Sequence, residues 1–374
     1  MFIRVTAAVM AAMLLCSCAA QGGETSGVSG QENADNAFPA EKLKTGVSEQ
    51  LDEIRSAGYD NITISEDFVL AVPDLDKLGV YDVVYPKNYD EGALPLLEKY
   101  IPGFDRGKVI SNKPEGGVGS TRYEDDEKAF ALITSIGGFV FSDRSSLNKV
   151  FYGTETGFLE TVPAWGDPAR ELELGSSTTT LGEVVKSSEE AISGFIGAAG
   201  RNCGLEPFAF STQRLEDGSI AGIMHCRSIY KGVPVFDTMS VGSGEYSEPI
   251  ACSGLSTVTF TEGSTVGQLS VFCDYEDFKC VRKLDSLISP AEAVRLISEK
   301  LAGRISFEAV REELVYFPTC TESLDGTEPG GGNDPGDIIR LTPYWVLYDR
   351  LDWWHEVLAA VNCVTGEVEY IVNV

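Results

Sequence analysis

The chain holds two histidines, His225 and His355, and both fall in segments that read as β-strand. Histidine chemistry, whether proton transfer or zinc binding, needs a second group at a defined spacing, and neither residue has an H-x-x-x-H companion. A strand histidine in that setting is more often structural than catalytic. His225 and Cys226 are neighbours in sequence, but adjacent strand residues point to opposite faces, so the two do not ligate one ion. No HExxH helix, GxSxG elbow, Walker A loop or GxGxxG junction occurs. A Ser/His/Asp triad is spatial rather than sequential, and nothing points to one. The reading is therefore a non-enzyme, with no catalytic residue, metal ligand or cofactor assigned.

Oxygen ligands are plentiful in Leu324 to Asp337, LDGTEPGGGNDPGD, where Asp325, Glu328, Asn333, Asp334 and Asp337 cluster. A twelve-residue calcium loop wants carboxylates at alternate positions and a closing glutamate, and this segment lacks that order. It reads as a loop between two strands, and Glu124-Asp125-Asp126-Glu127 reads as a solvated turn. The densest aromatic group is Tyr344, Trp345, Tyr348, Trp353, Trp354 and Tyr370. Strand alternation sends Tyr344 and Tyr348 to one face and Trp345 to the other. Trp353 and Trp354 are adjacent in a predicted turn and cannot both point inward, which makes them candidate binding residues for a peptide or sugar ring. Of nine cysteines, seven lie beyond Cys18. Cys273 and Cys280 flank six residues and are the best local candidates for a disulfide, while the odd count leaves at least one thiol unpaired.

The elements that would position these groups can be read from periodicity. Residues 41–57 form a helix with Leu43, Val47, Leu51 and Ile54 on one face, closed by Gly58. Strands come next at 62–64, 68–72 and 80–85, then a short helix at 90–100 and a hairpin around Gly137-Gly138. A capping box at Ser187…Glu190 starts a helix that runs to about Ala199, and Ser289-Pro290-Ala291-Glu292 starts another that ends at Gly303. Each helix leads into a run of strands, and the two units lie about 100 residues apart. The fold class is α+β: an N-terminal α+β region over 41–175, then two helix-on-antiparallel-sheet modules over 176–285 and 286–374.

The chain begins MFIRVTAAVMAAMLLCSCAA, with Arg4 ahead of an apolar stretch from Val5 to Leu15. That stretch is too short to cross about 30 Å of hydrocarbon and long enough for a secretory signal. Residues 18–40 are rich in Gly, Ser, Glu and Asn and read as a flexible tether. A net charge of −28 disfavours nucleic acid and anionic lipid and favours cationic partners.

Leu15-Cys16-Ser17-Cys18 resembles the lipobox of bacterial lipoproteins. The resemblance implies cleavage after residue 17, a diacylglyceryl and acyl anchor on Cys18, and a place at the outer face of the bacterial plasma membrane. Several acyl chains, each adding ~0.8 kcal/mol per buried methylene, make such an anchor effectively permanent. The two modules resemble PepSY-type domains of extracytoplasmic proteins. The features are Ser289-Pro290-Ala291-Glu292-Ala293, the strand Leu341 to Tyr348, the hairpin Val361 to Val368 and the segment Tyr230 to Phe236. The layout is similar to that of uncharacterised Gram-positive-type lipoproteins. These likenesses imply an envelope module that binds a protein or peptide at a sheet edge. The alternatives are a glycan-binding lipoprotein using exposed aromatics and a hydrolase with an unrecognised site in 41–175.

Overall fold

The structure is a computed structural model that describes residues 38–73, 77–84, 98–99, 101, 103–112, 120–125, 129–134, 138–143, 158–199, 204–215, 217–236, 256–272, 275–323, 337–349 and 357–372. Three α-helices occur among them: α1 (Ala40–Ser56), α2 (Leu181–Ala199) and α3 (Pro290–Leu301). Two short ladders join β1 (Phe38–Pro39) to β17 (Ser286–Leu287) and β9 (Glu171–Leu174) to β10 (Ser177–Thr180).

The ten-stranded first sheet contains β4 (Val109–Asn112), β5 (Ser120–Glu124), β6 (Ala129–Thr134), β7 (Gly138–Asp143), β8 (Phe158–Pro163), β11 (Gly204–Arg214), β12 (Ile220–Tyr230), β13 (Val233–Pro234), β14 (Ser256–Glu262) and β15 (Thr265–Phe272). Its order is β4-β5-β6-β7-β15-β14-β12-β11-β8, with β13 also on β12. The seven-stranded second sheet contains β2 (Ile62–Ala71), β3 (Gly79–Val84), β16 (Glu276–Lys283), β18 (Phe307–Ser323), β19 (Asp337–Tyr348), β20 (Val357–Asn362) and β21 (Val368–Val372). All its ladders are antiparallel except β2–β18.

This corrects the expected fold class. The protein is mostly β, with large antiparallel sheets in place of an α+β region followed by two helix-on-sheet modules. Each sheet draws strands from the 41–175 region and from later in the chain: β7 pairs β15, and β3 pairs both β16 and β19. Helix-plus-meander patterning is local, whereas strand partners this far apart in sequence leave no local signature.

One core lies between the second sheet and α1 and α3. It gathers Leu43 and Ile54, Val294, Ile297 and Leu301, and Trp345, whose indole N–H donates to the Ile288 carbonyl at 2.7 Å. A second core sits between the first sheet and α2, with Val184, Ile192 and Phe195 against Phe210, Met224 and Phe260. The sheets meet at residues 233–236. β13 pairs β12, Val235 bridges Tyr316 of β18, and the Phe236 N–H donates to the Tyr316 carbonyl at 2.7 Å. The turn before this junction places both Lys231 (φ 50°) and Gly232 (φ 86°) in the left-handed region, the demand of a tight hairpin.

α3 starts as its sequence requires, with the Ser289 hydroxyl accepting from the Glu292 N–H and Pro290 in the first turn. α2 starts earlier than the Ser187…Glu190 box. Its capping box is Thr180…Glu183: the Thr180 hydroxyl accepts from the Glu183 N–H, and the Glu183 carboxylate accepts from the Thr180 N–H at 3.0 Å. The earlier start adds Leu181 and Val184 to the buried face. Gly366 takes φ 73° in the β20–β21 turn, where Asn362 Oδ1 accepts from the Val364 and Thr365 N–H groups.

Candidate functional site

Alternation fixes the faces of the first sheet. Met224, Cys226, Val258 and Leu269 point toward α2, while His225, Ser211, Thr259, Gln268 and Ser270 point the other way, in rows set by the strand register. His225 and Cys226 therefore occupy opposite faces. His225 Nε2 lies 3.0 Å from Ser211 Oγ, which lies 2.9 Å from Thr161 Oγ1. Ser211 is fully buried, and burial lowers the His225 pKa to about 3. A hydrolytic pair needs a reachable nucleophile and a base poised near neutral pH. This pair offers neither, and its geometry is that of a buried polar network.

Next to this network, charged groups cross between the sheets. Arg227 of β12 makes a bidentate contact with Glu313 of β18, and Glu313 also accepts from Arg311 at 2.8 Å and from the Tyr348 hydroxyl at 2.8 Å. Burial opposes the Glu313 charge, but the two guanidiniums outweigh it and bring its pKa down to about 2. The Arg227 guanidinium sits over Phe208, and that of Arg311 lies 4.0 Å from the ring centre of Trp165. Trp165 comes just after β8, and more than a third of it remains exposed.

Of the residues with binding potential, Trp345 is buried beneath the helices. Tyr344 and Tyr348 lie on the opposite face, where Phe236, Phe317 and Tyr344 stack at 4.4 Å steps. Cys280 stands exposed on β16 as a thiol. Cys18, Trp353, Trp354, Cys273, His355 and the segment 324–336 lie outside the described residues. Among the described residues, no group of three His, Cys, Asp or Glu side chains is arranged to hold a metal ion, and no helix is long and apolar enough to cross a membrane.

Exposed apolar side chains concentrate on sheet edges. Val69 lies on β2, Ile110 on β4, Leu159 on β8, and Phe278 and Val281 on β16, each an end strand of its sheet, with Trp165 just beyond β8. Three of these are bulge residues. The register with β11 passes from Glu160 to Phe158 and skips Leu159; that with β3 skips Phe278 and then Val281. An extra residue in a strand is left unpaired and re-aims its side chain, here outward. Sequence reasoning missed Trp165. The signal was available, a tryptophan in the turn-rich Pro163-Ala164-Trp165-Gly166-Asp167-Pro168, the same context that singles out Trp353 and Trp354. Leu159, Phe278 and Val281 had no such signal, because a bulge is defined by the partner strand.

No family model, curated protein or solved structure matches this chain.

Proposed function

We propose that the protein is a lipid-anchored binding protein of the outer face of the bacterial plasma membrane, holding an extended segment of an envelope partner along β8. The observation that carries this reading is the gathering of exposed apolar side chains onto strands that end a sheet. An end strand offers backbone donors and acceptors to an added strand, and outward apolar residues supply side-chain contacts. β8 serves this best because Leu159 projects from its bulge and Trp165 stands beyond its end. Arg311 and Phe208 hold the Trp165 ring, so little side-chain entropy is lost on docking. The chain's charge of −28 favours a segment that is apolar at alternate residues and basic overall.

A photoreactive phenylalanine analogue at position 159 of the full-length chain, used on intact cells, tests the site. We expect capture of one discrete envelope protein, lost when Trp165→Ala is added and absent when the probe sits at the exposed Glu49 of α1. Equal capture from both positions, or capture unchanged by Trp165→Ala, removes β8 from the proposal. The anchor is tested separately: Cys18→Ser should abolish acyl labelling and release the protein, whereas Cys16→Ser should do neither.

A further inference from the structure

The two helices on the second sheet are held unequally. α3 is capped by Ser289 and buries Ala291, Ala293, Val294, Ile297 and Leu301. α1 is broken at Gly46, whose φ of −112° and ψ of 16° are not helical, and Pro39 at its start offers no side-chain cap. Its inner side carries Leu43 and Ile54, but between them stands Gln50, whose Oε1 is buried without a donor. α1 lies along β2, and α3 lies over β19, β20 and β21. On the α1 side of this core, register sets Glu312 of β18 between Leu70 of β2 and Leu347 of β19. Glu312 is fully buried, and neither carboxylate oxygen meets a donor. The titratable groups around it are acids. Burial first, and then the nearby Glu312 charge, raise the Tyr59 hydroxyl just beyond α1 and the Cys363 thiol just beyond β20, and Glu53 of α1 acts on Tyr59 as well. Arg55 of α1 is turned to the Glu66 and Phe68 carbonyls of β2, and Arg311 lies on the other face of β18 with Glu313. The inner side of α3 is apolar apart from Ser298, which donates to Asn61. An ionised Glu312 therefore meets repulsive neighbours and, among the described residues, no compensating cation.

We infer that α1 is a proton-gated strap, docked over β2 while Glu312 is neutral and lifted away when that carboxyl ionises. A neutral carboxyl is tolerated in an apolar core far better than a charged one. Lifting α1 gives the charge access to water and frees Gln50 Oε1 to find a donor there. It also leaves every ladder of the second sheet intact, because no strand of that sheet pairs through α1. What ties the helix down is local: the two-residue β1–β17 ladder, the Ala40 N–H donating to the Asp285 carbonyl at 3.1 Å, and the Arg55 bonds to β2. α3 stays in place, since its cap and apolar face do not depend on that proton. Burial holds the folded Glu312 proton above the ordinary glutamate range, so the strap is closed in acid and opens as pH rises. A helix released in this way belongs to the low-stability end of the fold, where opening precedes global unfolding.

Hydrogen–deuterium exchange of the full-length chain in mild detergent, read peptide by peptide from about pH 5 to 9 and corrected for intrinsic exchange, follows the strap. Protection of residues 40–56 should fall as pH rises, by up to about tenfold per unit until the folded Glu312 itself titrates, while that of 290–301 holds. Glu312→Gln keeps the shape and cannot ionise, so its α1 protection should not vary with pH. Gln50→Leu removes the buried acceptor on the helix and should raise α1 protection at every pH without changing the slope. Protection of α1 that is independent of pH in the parent overturns the inference, as does an equal fall in Glu312→Gln. Loss of α1 and α3 together also overturns it, because the event is then global unfolding. A slope abolished by Gln50→Leu assigns the effect to the helix and not to the Glu312 proton, which overturns it too.

Discussion

Glu312 is the most unusual side chain among the described residues. It projects from β18 into the core beneath α1 and α3, is fully buried, and neither carboxylate oxygen meets a donor. Burial alone raises its pKa well above the ordinary glutamate value, and the nearby Tyr59 hydroxyl is pushed up to about 12, first by its own burial and then by Glu312. The folded chain keeps this proton at pH values where the unfolded chain has lost it. Glu312 thus favours folding fully below the unfolded glutamate pKa, and that contribution is lost as pH rises toward the folded value. Glu312→Gln keeps the shape and cannot ionise. Urea titrations from pH 4 to 8 should show it gaining on the parent above about pH 4.5, by up to about 1.4 kcal/mol per pH unit. A constant difference across that range contradicts the assignment. Nothing in the sequence marks this residue, because Glu312-Glu313 reads as an ordinary acidic pair until the tertiary structure buries one on each face.

At the scale of elements, α2 shows how two equivalent local signals are resolved. Thr180…Glu183 and Ser187…Glu190 both satisfy the spacing of a capping box. The first is used because it brings Leu181 and Val184 under the sheet, and burial of two large side chains outweighs the loss of an alternative cap. The Glu183 pKa is lowered by its hydrogen bonds from Thr179 and Thr180, as its role in the cap requires. Thr180→Ala should therefore cost about 1 kcal/mol in chemical denaturation. Ser187→Ala, now inside a helix, should change stability by less than about 0.5 kcal/mol. The reverse ranking would return the helix start to Ser187. Periodicity made all three helices and most long strands legible, including the hairpin at Thr365-Gly366-Glu367. Edge, centre and bulge were not legible, since each is a relation to a partner strand.

For the whole molecule, the junction of the sheets matters most, and it rests on Val235, Phe236 and the Arg227–Glu313–Arg311 cluster. Glu313→Gln leaves two largely buried guanidiniums with one anion fewer. It should lower stability at pH 7 by about 3–5 kcal/mol, the usual cost of breaking a buried pair from one side. Because the folded pKa of Glu313 is depressed, its contribution is complete above the unfolded value near 4.5 and is lost as pH falls toward about 2. The gap between variant and parent should narrow over that acidic interval. A gap that persists at pH 2 would show that the charge is not what the cluster depends on.

The sequence alone determined the groups available and the local structure: two histidines without partner motifs, a net charge of −28, and helices and strands readable from apolar period. Those properties depend on residues close together in the chain. Tertiary structure decided that the strands form two large sheets, that Ser211 and His225 are sealed inward, and that Leu159, Phe278 and Val281 face outward. Each outcome depends on pairings between strands far apart in sequence, where register sets which face a side chain occupies and a single extra residue reverses it.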